Sequence, residues 1–389
     1  MSSQHGGTHT PPASEPTGTS AAGQPDARSA PRSSSSRDRW FDLLRAVALA
    51  RVIVYHMFGA AWVSYLFPAI GVMFALAGSL MVRSLDRSTK RAVTGRIRRL
   101  LPALWVQAAI LVPLMLALGW PDRPPWPRLL TWVVPVATPP GTAWAEPATE
   151  VLWYLVTYLW LVLLSPALLW LFRRLPAVAI LLPLAVLVVL SAGLFQPSPT
   201  VDDVATDVAT FGACWAVGFA HRDGVLRRVP WAVLIPIAVV SVAAGAAWAL
   251  THPDNGSIDL NDVPVGQAFY SLGIVLVLMR AAPPMGWLPR VRPLDRLVTT
   301  FNARAVTIYL WHNLAIAAAF AVGDLIGVFA LGNAGYFAVA LVLLAAIVLL
   351  IGWVEDLAAR RSPRLLPWRG LTPRRREPAA VTPEPAAQP

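Results

Sequence analysis

The chain has 389 residues, of which 56% are hydrophobic and only 14% charged, with a net charge of +11. A soluble globular domain carries about 25% charged residues, so this composition excludes an ordinary soluble enzyme. The positive charge is almost all arginine, Lys90 being the only lysine, and the arginines flank apolar runs; that pattern is topological and argues against a nucleic-acid partner.

In chain order, residues 1–38 are Ser, Thr, Pro, Gly and Ala with scattered Arg, and are read as a disordered tail. No short apolar region with a cleavage site follows the start, so a signal peptide is not expected. A membrane domain over 39–356 follows, and 357–389 is a second, basic disordered tail. A helix needs roughly 20 apolar residues to cross the hydrocarbon. Segments of that kind lie near 42–61, 62–82, 100–119, 151–171, 177–195, 205–220, 230–250, 265–282, 304–322 and 334–354, the sixth being short. The fold class is therefore an all-α integral membrane protein, a bundle of about ten transmembrane helices.

The connecting loops carry charge on alternate sides. Arg83 to Arg99, Arg173 and Arg174, Arg222 to Arg228, and Arg290 to Arg304 fall on one side if ten helices cross. Asp202, Asp203 and Asp207, then Asp254, Asp259 and Asp262, fall on the other. Arginine marks the cytoplasm, so both termini are expected inside a multi-pass cell-membrane protein. The 17 Trp suit a chain with two lipid–water boundaries. The loop at 120–149, rich in Pro and Trp, is expected to lie along the surface or cover a site.

The first helix carries the ionisable groups. Such groups inside hydrocarbon are costly, by roughly 3 kcal/mol each, and point to function. Arg45 and His56 are eleven positions apart, hence within about 20° on a helix and roughly 16 Å apart along its axis. Asp42 shares that face and is placed to pair with Arg45, while Arg51 points elsewhere. An arginine at the mouth suits an anionic donor, and an imidazole deeper in suits proton transfer. The bland alternative is a snorkelling arginine and a histidine hydrogen-bonded to a neighbouring helix. Tyr309, His312 and Asn313, within one turn of the ninth helix, are read either as lining the same cavity or as a helix–helix hydrogen-bond cluster. Arg96 and Arg99 are topology markers or a phosphate clamp. Trp153, Tyr154 and Tyr158 are read as interface and packing aromatics ahead of acceptor-binding ones, Glu150 as a solvated helix-start carboxylate ahead of an acceptor contact at the outer mouth, and His221 and His252 as loop residues.

Cys214 is alone, which excludes an intrachain disulfide and a cysteine metal cluster. No Walker loop, GxGxxG, HExxH or GxSxG is present, against nucleotide-driven pumps, zincins and serine hydrolases of familiar type.

The segment WFDLLRAVALARVIVYH resembles the start of the acyltransferase 3 family through Asp42, Leu44, Arg45 and His56, in order and spacing. Phe74 and Gly78, then Arg96, Arg99 and Pro102, then LWYLVTYLWLVLLSP, then Tyr309, Leu310 and His312 continue the likeness over about 40–355. Many members carry a Glu-Glu element entering the fourth helix, where this chain has only Glu150. The resemblance implies an acyl-CoA-dependent enzyme moving an acyl group, expected to be acetyl, to a hydroxyl of a sugar, an envelope component or a small molecule. Acyl-CoA is then a donor substrate, with no cofactor and no metal. His56 would be the general base and Arg45 would orient the donor, with Asp42, Arg96, Arg99, Tyr309, His312 and Asn313 binding substrate. A transporter or flippase of an envelope intermediate is the alternative, and a non-catalytic binding member is the third reading.

Overall fold

The computed structural model describes residues 35–368 apart from Asn255 and Ala282, so most of both expected tails lies outside the described residues. Among the described residues the chain is helical, with no strand. The long helices are α1 (Ser35–Phe58), α3 (Ala69–Leu85), α4 (Thr89–Ala117), α5 (Trp153–Arg174), α6 (Pro176–Ser191), α7 (Pro199–Arg222), α8 (Trp231–Thr251), α9 (Pro264–Arg280), α11 (Ala305–Leu325) and α12 (Gly332–Ile351). Among the shorter ones are α2 (Trp62–Leu66), α10 (Arg292–Ala303) and α13 (Trp353–Ala358). A helix therefore stands at each of the ten apolar segments.

Among the described residues five helical stretches are long and apolar enough to cross a membrane: Thr89–Ala117, Ala143–Arg174, Trp231–Thr251, Ala305–Leu325 and Gly332–Ile351. α3, α6 and α9 are as apolar but shorter. α1 and α7 are long but carry the charges expected of a functional wall, Arg45, Arg51 and His56 on one and Asp202, Asp203 and Asp207 on the other. The outermost helices leave apolar side chains uncovered, Val240 of α8 and Leu350 of α12 among them. That is the surface a lipid-facing helix presents.

Several boundaries differ from the sequence expectation, each for a local reason. The second segment is broken, because Pro68 holds Phe67 extended and separates α2 from α3. The third helix starts eleven residues before the expected 100, where Ser88 accepts from the Arg91 amide at 3.4 Å and caps it. The sixth, expected to be short, runs from Pro199 to Arg222, and a proline at its first position begins it cleanly. His221 is thus helical; its Nδ1 lies 2.9 Å from Ser79 Oγ. The stretch read as a loop after α9 contains α10, whose Val298 packs with Ala46, Met285 and Leu288. It is short, with its apolar residues on one face only, so average hydropathy hides it. Residues 357–368, assigned to the tail, are placed, with Ala358 buried.

The helices approach closely through small residues. A Cβ on Gly218 of α7 would stand 2.6 Å from the Ser79 amide nitrogen, and one on Gly78 of α3 would run into the Trp215 carbonyl. Backbones meet there as small residues allow in lipid, where apolar burial gives no drive and contact must come from packing. Gly218→Leu is expected to cost about 1–3 kcal/mol through overpacking, read as a lower unfolding temperature in detergent. An unchanged temperature would show that the two helices do not meet in this way.

The 120–149 segment lies against its neighbours through tryptophan. Trp105 and Trp160 donate to the Val133 and Val136 carbonyls at 2.9 and 3.0 Å. Trp132 is buried and donates to the Pro140 carbonyl at 3.0 Å. Val136 and Ala137 line an apolar groove with α5, α6 and α7.

Candidate active site

Two cavities enter the bundle from opposite ends and share one residue, Tyr309. The first, of about 300 Å³, is lined by Arg45 of α1, Arg96 and Arg99 of α4, Tyr154 and Tyr158 of α5, and Glu355 and Arg361 beyond α12. The second, of about 250 Å³, is lined by Arg51, Tyr55 and His56 of α1, Glu150 and Trp153, Asp207 of α7, and Asn261, Asp262 and Gln267 leading into α9. Phe74, fully buried, stacks between them. Its ring centroid is 4.8 Å from Tyr154 and 5.0 Å from Phe211, and Tyr154 is 4.7 Å from Tyr309. An aromatic partition thus separates an arginine end from a histidine end.

In the arginine cavity, Arg45 donates to Asn302 Oδ1 at 2.8 Å, and Asn302 donates in turn to the Asp42 carbonyl at 2.8 Å. Asp42 does not pair with Arg45 as expected. Its carboxylate lies 3.2 Å from Arg39, which also contacts Asp295 and Thr299 of α10. Asp42 therefore fastens α1 to α10 and lines neither cavity. Arg39, one turn earlier on the same face, competes for the carboxylate and wins because α10 supplies a second acid. Arg96 donates to the Tyr158 hydroxyl at 3.2 Å, so Tyr154 and Tyr158 are cavity walls and not only packing aromatics.

Behind this cavity a buried hub closes the bundle. Arg304 is fully buried and donates to Asp356 Oδ2 at 2.7 Å and to the Arg364 carbonyl. Glu355 accepts from the Thr307 amide at 2.7 Å and from its hydroxyl at 2.6 Å. It thereby caps the start of α11 from another element, satisfying amides that a helix start leaves open. Burial pushes the Glu355 carboxyl up to about 7, against the pull of the Thr307 hydrogen bonds. The segment after α12, held by this hub, is what brings Arg361 to the cavity.

At the histidine end, the His56 and His312 rings meet edge to face with centroids 4.9 Å apart. His312 is fully buried. Its Nδ1 lies 2.6 Å from the Tyr309 carbonyl, which can only accept, so Nδ1 carries the proton and Nε2 is left with a free lone pair. That Nε2 is buried with no protein partner. Asn313 donates to Glu150 at 3.4 Å, and Tyr309 donates to the Val151 carbonyl at 3.0 Å. Glu150 is exposed, as a solvated helix-start carboxylate is, and it also lines the cavity. Arg51 was expected to point away, yet it lines the same cavity as His56, with its guanidinium 4.9 Å over the Tyr55 ring. A helical wheel assigns Arg51 to another face; a long side chain crosses that angle easily.

Of the residues singled out from the sequence, Arg45, Arg96 and Arg99 line one cavity and His56 the other, with Tyr309 in both; His312 and Asn313 line neither, His312 lying behind His56 and Asn313 behind Glu150. Asp207, Gln267, Asn302 and Arg361 were missed. Asp207 could have been found as a carboxylate inside an apolar run; the others carry no local signal. Among the described residues no group of three or more His, Cys, Asp or Glu is placed to hold a metal ion.

A family model described as an acyltransferase domain, that of acyltransferase family 3, matches residues 38–353. The chain belongs to the acyltransferase 3 family. It is an enzyme of the membrane that transfers acyl groups. The match runs from α1 to the first residue of α13 and takes in the lining of the histidine cavity and most of the arginine cavity, with Glu355 and Arg361 lying just beyond it. Comparison with curated proteins and with solved structures gave no match.

Proposed function

We propose that this acyltransferase moves an acyl group, acetyl in the simplest case, from cytoplasmic acyl-CoA to a hydroxyl of a sugar, an envelope component or a small molecule. The observation that carries the reading is the pair of opposed cavities meeting at Tyr309, one lined by arginines and the other by histidine and carboxylates. Loop arginines favour ten crossings of the cell membrane with both termini inside, which turns the arginine cavity toward the cytoplasm. Arg45, Arg96 and Arg99 suit the phosphates of the donor, since guanidinium pairs with phosphate in two-point fashion. The acyl-pantetheine arm then runs along Tyr154 to the partition, and the side chains of Phe74, Tyr154 and Tyr309 have to give way for its thioester to reach His56. His56 takes the proton of the acceptor hydroxyl as the oxygen bonds to the acyl carbon. The C–S bond breaks, and the leaving thiolate takes that proton back from His56. His312, its ring held by the Tyr309 carbonyl, packs against His56 and positions it, Asn313 positions Glu150, and neither His312 nor Asn313 needs to gain or lose a proton.

Arg45→Met tests the donor half. Removing one charged contact to phosphate is expected to raise KM for acyl-CoA by about 10- to 100-fold, with kcat changed much less. Steady-state CoA release in membranes reads both constants. A KM left at the wild-type value with the protein folded would remove Arg45 from the donor site. The two-ended path also suits a transporter or flippase. Labelled acyl-CoA separates the readings, because substrate movement without thioester cleavage would favour transport.

A further inference from the structure

The geometry points to an acceptor that carries a protonated amino group beside the hydroxyl that is acylated. This rests on the acyl-transfer reading and adds the chemical class of the molecule in the histidine cavity. Three carboxylates line that cavity, Glu150, Asp207 and Asp262. None of them is in an ion pair among the described residues. Glu150 and Asp262 are met only by neutral donors, Asn313 at 3.4 Å and Ser257 at 2.7 Å. The one cation lining the cavity, Arg51, is already engaged. It donates to the Val63 carbonyl at 3.2 Å, lies over Tyr55, and feels the nearby Asp259. Glu150 and Asp262 are exposed at the mouth and Asp207 is half-buried, so the lining presents an acidic surface to whatever enters, and a cationic occupant is the one whose charge complements it.

A separate observation points to the same occupant. Gln267 lines the cavity and is 3% exposed, and its Oε1 is buried with no protein partner. A buried carbonyl oxygen without a donor marks a place where a ligand N–H or O–H belongs. Trp153 and Phe211 stack at 5.7 Å and add a flat aromatic wall, which favours both a sugar face and an ammonium. The arginine cavity has the opposite charge, so the two ends sort an anionic donor from a cationic acceptor before any chemistry.

The arrangement also decides which atom is acylated. An amine held by carboxylates stays protonated and has no lone pair to attack with. The hydroxyl beside His56 is then the nucleophile, and the product is an ester with the ammonium intact.

The test uses the full-length protein in lipid nanodiscs and two probes, methyl 6-amino-6-deoxyglucoside and methyl glucoside. Calorimetric titration is expected to give about tenfold tighter binding of the amino glycoside, the size of one charged hydrogen bond. Glu150→Gln and Asp262→Asn should each remove most of that preference, and labelled acetyl-CoA should yield an O-acetyl ester that mild base cleaves. Equal affinities, binding of neither glycoside, a preference that survives the double variant, or a base-stable amide product would each overturn the proposal. Acetylation of the neutral glycoside as readily as the amino one would refute the cationic acceptor and leave acyl transfer standing. Absence of thioester cleavage while the amino glycoside still binds preferentially would refute the transfer reading and leave the cationic site standing.

Discussion

His56→Ala is expected to lower kcat for acyl transfer by about 10²- to 10⁴-fold, the range a positioned general base supplies. The hydroxyl of an alcohol is a poor nucleophile until its proton is taken, and His56 is the residue of α1 that lines the acceptor cavity with an imidazole. KM for acyl-CoA should stay within about twofold, because the arginines that suit the donor line the other cavity. His56→Gln should be as slow as His56→Ala, since an amide keeps a hydrogen bond but cannot accept the proton. Initial rates of CoA release from membranes carrying each variant, normalised to folded protein, read the effect. Transfer at the wild-type rate would sink the assignment. Recovery of rate in His56→Gln alone would make His56 a hydrogen-bonding residue and move the base elsewhere, with His312 Nε2 the next group to test.

Arg304→Ala should cost about 3–5 kcal/mol of stability, as breaking a buried pair by removing one partner usually does. The guanidinium is fully buried, its partner Asp356 nearly so, and the Arg364 carbonyl accepts from the same group. Gly352 makes the passage possible, since a Cβ there would lie 2.8 Å from the Arg304 side chain. Without Arg304 the Asp356 carboxylate is left buried and unpaired, and the segment carrying Arg361 loses its anchor. The unfolding temperature in detergent should fall, and KM for acyl-CoA should rise with it. The double change Arg304→Met with Asp356→Leu should recover much of the stability, because an apolar pair has no charge to strand. An unfolding temperature unchanged in Arg304→Ala would show that the hub does not hold the helices together.

Much of this protein is legible from residue order alone. Apolar length and loop charge are local properties, so the helices at all ten segments, the membrane class and the helical fold could be read directly. Spacing along one helix is local too, which is why Arg45 and His56 could be put on one face of α1, and the family resemblance followed the same segments. The tertiary structure decided what those residues meet. Asp42 pairs with Arg39 and not with Arg45, because α10 brings Asp295 from more than two hundred residues away. Arg51 joins His56 because its long side chain turns into the cavity that α3, α7 and α9 close. Arg304, which looked like one more loop arginine, is buried because the chain after α12 folds back over it. Arg45 and His56 share a face, but they serve two cavities, and the partition between them is built by Phe74, Tyr154 and Tyr309 from three other helices. Contacts between distant segments depend on how helices cross, and helix crossing is set by the shapes of all the packed side chains together. No single stretch of sequence contains that information.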